Sequence, residues 1–390
     1  MVKPFQFSRL PLIYFGTGKI RVLPSLIGRH WNVVILVTDQ GSFTSSSYAT
    51  DLFESFRQEG IQYHHVVIHG EPSPDMIDNA VEKLRREAVE AVVSIGGGSV
   101  LDAGKAISAM MCMPGSVIEY LEVIGTKEPT GKKLPFIAVP TTSGTGSEAT
   151  KNAVISQTGI NGFKKSLRHD NFVPDIAIVD PELTYSCPKE ISAASGMDCF
   201  TQLTESYLSD KACEYTDALA WEGLKAIKSS LVKSYIDGQD AEARSGMSFA
   251  ALTSGICLAN AGLGVVHGFA SSIGGLFNIP HGVICGTLMA PANAITIREL
   301  GNRHDNPEAW NKYVRLGRLF LDSVGKTDDY YINGFMEYLT ELSEEMQLPG
   351  LGQYGIKEKD IETICKITEI KNNPVKLSPG DLEEIIRKRL

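Results

Sequence analysis

From residue 245 to residue 297 the chain runs for 53 residues without an Asp, Glu, Lys or Arg, and His267 and His281 lie inside that stretch. So long an uncharged segment belongs in an interior. Ser, Asn, Gly and Pro interrupt it, and no window of about 20 residues is uniformly apolar, so it is not a membrane span. It predicts a buried helix pair in a large soluble domain. Imidazole is costly to bury without a partner. On one unbroken helix the 14 residues between the two histidines would separate them by about 21 Å. Two ligands each about 2 Å from one ion cannot be that far apart. A shared site therefore requires a bend, and Gly274-Gly275 with Pro280 is the expected break. Each histidine alone also suits an ordinary hydrogen-bonded core position.

The 390 residues suggest two domains. With 37 basic and 46 acidic residues the net charge is −9. No basic block occurs, so nucleic acid is not an expected partner. The seven cysteines, at 112, 187, 199, 213, 257, 285 and 365, form no CxxC pair. They read as reduced thiols. The opening MVKPFQFSRLPLIYFG lacks an apolar run followed by a small-residue cleavage site, and a cytoplasmic location is expected.

Up to about residue 180 short β-branched runs alternate with helical patterns. Strands are expected at Val33–Val37, Tyr63–Ile68, Ala91–Ile95, Phe136–Val139 and Ile176–Val179, and helices at Tyr48–Glu59, Asp75–Arg86 and Val100–Met111. This rhythm indicates parallel strands covered by helices. Beyond Pro181 the strands stop, and 189–208, 213–235, 241–262, 307–324, 330–346, 357–370 and 379–389 suit helices. The division expected is an α/β domain over 1–185 and an all-helical domain over 186–390.

Ile95-Gly96-Gly97-Gly98-Ser99 follows a strand and opens a helix. Glycines allow close backbone approach, and a helix N-terminus offers free N–H groups to a diphosphate. The loop is neither GxGxxG nor a Walker loop, and a plain strand-to-helix turn is the alternative. A second loop after a strand, Pro140 to Glu148, carries five hydroxyls, including Thr141, Thr142 and Thr145. It suits phosphate and ribose binding; it also contains a possible capping box, Thr145 to Glu148. Asp39 ends the first expected strand, but it precedes the glycine loop by 57 positions (96 − 39). By spacing alone it reads as a strand-end turn residue. Asp198 and Gln202 stand four apart on one helix and share a face.

Several segments, in order, resemble the iron-containing (group III) alcohol dehydrogenases: GGGSVLDAGKAIS (96–108), PTTSGTGSEAT (140–150), IAIVDPELT (176–184), SGMDCFTQLTESYLS (195–209) and VVHGFASSIGGLFNIPHG (265–282). Ile13 to Gly18 resembles the opening strand of that family. The resemblance implies a dehydroquinate-synthase-like fold with an α/β dinucleotide-binding domain and a helical metal and substrate domain. It implies NAD rather than NADP, with Asp39 at the adenosine ribose. Gly97, Gly98, Ser99, Asp102, Thr141, Thr142, Thr145 and Lys164 would meet the cofactor. Asp198, Gln202, His267 and His281 would hold a divalent ion, Fe²⁺ or Zn²⁺, and Asp198, His267 and His281 would be catalytic through it. A homodimer acting on a small molecule is also implied.

Two positions depart from the family pattern. Gln202 replaces a histidine, and an amide oxygen is the weaker ligand. Ser271 stands where many members carry a histidine near the substrate. The expected reaction is oxidation of a primary alcohol or reduction of an aldehyde. A primary alcohol or aldehyde is the default that the resemblance implies, and a polyol or a sugar acid such as a 3-deoxy-octulosonate is a further option. The alternatives are a metal-independent reductase of an oxo-acid, as in maleylacetate reductases, and a dehydroquinate-synthase-like lyase. Lys164, Lys165 and Arg168 suit an acidic substrate or simply a solvated basic loop.

Overall fold

A computed structural model describes residues 2–41, 43–159 and 162–390. In the first half lie β1 (Leu12–Phe15), α1 (Leu23–Gly28), β2 (Val33–Asp39), α2 (Ser47–Gln58), β3 (Gln62–Ile68) and α3 (Pro74–Leu84). They are followed by β4 (Ala91–Gly96), α4 (Gly98–Met110), β5 (Phe136–Pro140), β6 (Asn152–Gln157), β7 (Phe163–Arg168) and β8 (Ile176–Val179). Six strands form a parallel sheet in the order β1-β8-β5-β4-β2-β3. Its central strands are hydrophobic on both faces, as a sheet covered on both sides must be. Ile35, Val37, Val92 and Phe136 pack towards α3 and α4, while Val34, Leu36, Val93 and Ile137 pack on the opposite face with Leu52 and Phe56 of α2.

The chain leaves β2 for β3 on one side and returns to β4 on the other. That reversal opens a crevice at the carboxyl ends of β2 and β4, where open α/β sheets bind ligands.

The remaining helices are α5 (Lys189–Leu208), α6 (Glu214–Ile236), α7 (Ala241–Ala261), α8 (Val265–Leu276), α9 (His281–Arg303), α10 (Pro307–Phe320), α11 (Asp328–Glu345), α12 (Glu358–Ile367) and α13 (Pro379–Arg387). They enclose one large apolar core. The uncharged stretch supplies most of α7, all of α8 and the start of α9. Among the described residues no single helix is long and apolar enough to cross a membrane. α7 and α8 pass that test only as a pair, bent by 96°, and both contribute to the core.

Three local expectations need correction. The break between the histidines falls at residues 277–280 and ends at Pro280 as expected, but the glycine pair takes no part in it. Gly274 and Gly275 stay inside α8 because the hairpin β6–β7 lies against them: a Cβ on Gly274 would sit 3.0 Å from Lys164 Cδ, and one on Gly275 3.3 Å from Phe163 Cα. That antiparallel hairpin, Asn152 opposite Arg168, is the second difference. The segment around Lys164, expected as a loop, is a strand whose Leu167 packs with Ala153 and Ile155 into the sheet core. Third, no capping box forms between Thr145 and Glu148. The cap of the short 3-10 turn Ser147–Ala149 is Gly146 at φ 65°, a conformation that removes Thr145 from the capping position.

Candidate active site

A cavity of about 1440 Å³ lies between the carboxyl edge of the sheet and helices α5, α8 and α9. It exceeds the roughly 300–1,000 Å³ of ordinary small-molecule sites, leaving room for a dinucleotide and a small substrate together. Asp39, Gly97, Gly98, Ser99, Thr141, Thr142 and Thr145 all line it. Gly97 caps α4 with no side chain bonded to the helix end, so the first N–H groups of α4 remain for an anion. Gly98 fits because a Cβ there would sit 3.0 Å from Thr145 Oγ1. Asp39, at the carboxyl end of β2, accepts a hydrogen bond from Gly41 N at 3.2 Å.

Two of the nine expected cofactor residues are not on this wall. Asp102 is buried inside α4, where it accepts from Ser147 Oγ and, at 2.9 Å, from Val154 N, and pairs with Lys105 at 3.7 Å. It holds the hydroxyl loop and the hairpin together behind the cleft. Lys164 forms a buried ion pair with Glu71, and Glu71 is the residue of that pair that faces the cavity. Lys165 also lies on β7. Arg168, the last residue of that strand, pairs with Glu122 at 2.9 Å at the surface.

At the deep end, Asp198 from α5 and His281 from the first turn of α9 line the wall, and His267 from α8 stands behind them. The imidazole centroids of His267 and His281 are 5.6 Å apart. Asp198 Oδ1 is 3.3 Å from His267 Nε2 and 3.8 Å from His281 Nε2. Asp198 is 2 % exposed, yet Oδ1 has no hydrogen-bond donor. Burial opposes its ionisation, but the two imidazoles outweigh it and hold the carboxyl at about 2. Burial pushes His281 down to about 4. Burial also works against charge on His267, but Cys285, Asp198 and Glu205 hold it well above the ordinary imidazole range. A buried carboxylate oxygen facing two imidazole nitrogens is a donor set that fits a divalent cation.

Gln202 is fully buried one turn further along α5. Its Nε2 donates to Thr145 O at 2.8 Å and to Ser254 Oγ at 2.9 Å. A carbonyl only accepts, so the amide orientation is fixed and Oε1 is the free atom; it has no partner. Ser271 turns back to donate to its own helix, at His267 O, 2.9 Å away.

Two participants escaped sequence reasoning. Cys285 Sγ lies 3.7 Å from Nε2 of both histidines. Glu205 accepts from His267 Nδ1 at 2.7 Å. Their spacing was the available signal: Cys285 is four residues after His281, and Glu205 seven after Asp198, each on the same helical face.

Comparison with known proteins agrees with this architecture. The family model for iron-containing alcohol dehydrogenase matches residues 11–181, and that for the C-terminal part of Fe-containing alcohol dehydrogenases matches 192–390. Long-chain-alcohol dehydrogenase 1 of Geobacillus thermodenitrificans is 36 % identical over 273 residues, 70 % of this chain and 68 % of that one. The crystal structure of 1,3-propanediol oxidoreductase superposes with a TM-score of 0.88 at 27 % identity, covering 100 % of both chains. That of sulfoacetaldehyde reductase from Bifidobacterium kashiwanohense, in complex with NAD⁺, gives 0.85 at 25 % identity and covers 99 % of each. With both halves matched in order and the fold shared over its full length, the chain belongs to the iron-containing alcohol dehydrogenase family, oxidoreductases that act on CH–OH groups.

Proposed function

We propose that this chain interconverts a small uncharged primary alcohol and its aldehyde, with NAD as hydride carrier and a divalent ion held by Asp198, His267 and His281. The observation that carries this reading is the convergence of those three side chains at the deep end of a cleft whose upper wall is built from the two strand-end loops. When bound, the dinucleotide supplies the hydride acceptor and the cation supplies Lewis acidity toward the alcohol oxygen. The protein contributes placement. The N-terminus of α4 receives the diphosphate, and the threonines of the second loop offer hydroxyls to it and to the ribose. Asp39 repels a 2′-phosphate, which favours NAD over NADP.

The charge of the wall selects the substrate class. Asp39, Glu71, Glu182, Glu190 and Asp198 line the cavity, and no Lys or Arg does among the described residues. Lys164, behind the wall, is already paired with Glu71. A sugar acid or an oxo-acid would bring a carboxylate against like charges with no partner. A neutral alcohol or polyol meets no such penalty. The seven unpaired cysteines suit a reducing compartment, and the cytoplasm is the proposed location.

The test is metal analysis of protein purified without chelator, with a panel of neutral and anionic alcohols and aldehydes against NAD(H) and NADP(H). One ion per chain, preference for neutral substrates and for NAD are expected, and Asp198→Ala should keep the fold while losing both ion and turnover. A fully active metal-free enzyme, or Asp198→Ala at the parent rate, would refute the reading.

A further inference from the structure

Three acceptor atoms and one thiol share the deep end of the cleft. Asp198 Oδ1, His267 Nε2, His281 Nε2 and Cys285 Sγ all lie within 4.8 Å of one another. Asp198 Oδ1 is an orphan acceptor. With Nδ1 held by Glu205, Nε2 is the nitrogen that His267 turns toward Asp198 Oδ1 and Cys285 Sγ.

The spacing has a defined shape. Metal–nitrogen and metal–oxygen bonds of about 2.0–2.1 Å and a metal–sulfur bond of about 2.3 Å, set at the tetrahedral angle, put N···O at about 3.3 Å and N···S at about 3.6 Å. The observed edges are 3.3 and 3.8 Å for N···O and 3.7 Å for both N···S pairs. Right-angle geometry would require about 2.9 and 3.1 Å for the same bonds, shorter than every edge seen. These four edges put the sulfur at the distance of a fourth vertex from both imidazoles.

Gln202 Oε1, also buried without a partner, is the rival for that place. Its amide is tied through Nε2 to Thr145 O and Ser254 Oγ, and a neutral amide oxygen is a weaker ligand than a thiolate for a borderline-soft ion.

We infer that Cys285 supplies the fourth ligand to the ion, as a thiolate, giving an Asp-His-His-Cys shell suited to Zn²⁺ or Co²⁺, while Gln202 ties α5 to the hydroxyl loop. This rests on the metal reading of the preceding section. On ligation the thiol proton passes to solvent and the sulfur lone pair to the ion. Asp198 and His281 line the cavity whereas Cys285 does not, so the thiolate would hold the ion from behind and leave its cavity side to substrate.

The test uses Co²⁺ as a spectroscopic stand-in. The metal-stripped full-length protein is titrated with Co²⁺, and bound cobalt and absorbance are read together. One cobalt per chain is expected, with tetrahedral visible bands and a near-ultraviolet thiolate-to-cobalt charge-transfer band. Cys285→Ser should lose the charge-transfer band while its metal-free thermal melt remains cooperative. Cys257→Ser, another buried cysteine change, should keep the band. Cobalt bound without the band, or a band that persists in Cys285→Ser, overturns the thiolate assignment and leaves the metal reading standing. No cobalt bound at all overturns both.

Discussion

Glu205 accepts the Nδ1 proton of His267 at 2.7 Å and, through its other oxygen, the N–H of Val266 at 2.7 Å. One carboxylate thus caps the start of α8 and fixes which imidazole nitrogen is free to bind an ion. Such outer partners typically change metal affinity 10–100-fold when removed. Glu205→Ala should weaken the site by about that factor, measured by competition with a chelator, with Glu205→Gln intermediate because an amide still holds the helix end. Unchanged affinity in Glu205→Ala would show that His267 needs no orienting partner.

Gly98 leaves room for Thr145, whose Oγ1 a Cβ would approach to 3.0 Å. Gly98→Ala has to displace the hydroxyl loop by a few tenths of an ångström. Dinucleotide Kd should rise ~10-fold, a loss of about 1.4 kcal/mol, with metal content unchanged. Titration of NADH fluorescence measures it; an unaltered Kd would place the cofactor elsewhere on the wall.

Glu148 is buried beside the glycine at the foot of the same loop. Burial pushes its carboxyl up to about 7, against the pull of its own backbone N–H and of Lys105. Between its unfolded value of about 4.5 and its folded value of about 7, the folded chain retains a proton that the unfolded chain has released. Stability therefore falls as pH rises through that window and levels off above it. The full effect is about 3 kcal/mol, at about 1.4 kcal/mol per pH unit. Glu148→Gln should lack this slope when urea midpoints are followed against pH for both proteins. Parallel curves would mean that Glu148 stays ionised in the fold.

Much of the architecture is legible because its causes are local. β-Branched runs ending at Gly, Pro or Asp gave five of the six strands of the parallel sheet from the residues alone, and the sixth, β1, came from resemblance. The helix bearing Asp198 runs from Lys189 to Leu208, the span its pattern suggested. The rest depends on what lies across the fold. The hairpin β6–β7 was hidden by Lys164 and Lys165, because a lysine matched by Glu71 on another element looks, in sequence, like a solvated loop. Asp102 follows the glycine loop closely enough to suggest the cofactor, but the helix turns it inward to Ser147 and Val154. Cys285 was overlooked for the opposite reason, although its i+4 spacing from His281 was there to be read. A cysteine in an uncharged run reads as core, and only the approach of α8 to α9 places it beside both imidazoles.

Gly146 and Gly255 touch through bare backbone: a Cβ on Gly146 would fall 2.2 Å from Ala251 O, and one on Gly255 2.0 Å from Gly146 O. Ser254 Oγ reaches Gly144 O at 3.2 Å, and Gln202 reaches Thr145 O. Backbone meets backbone there, and both side-chain bonds cross the same seam. The hydroxyl loop is therefore joined to α5 and α7 at this seam, and separating them would break several interactions at once.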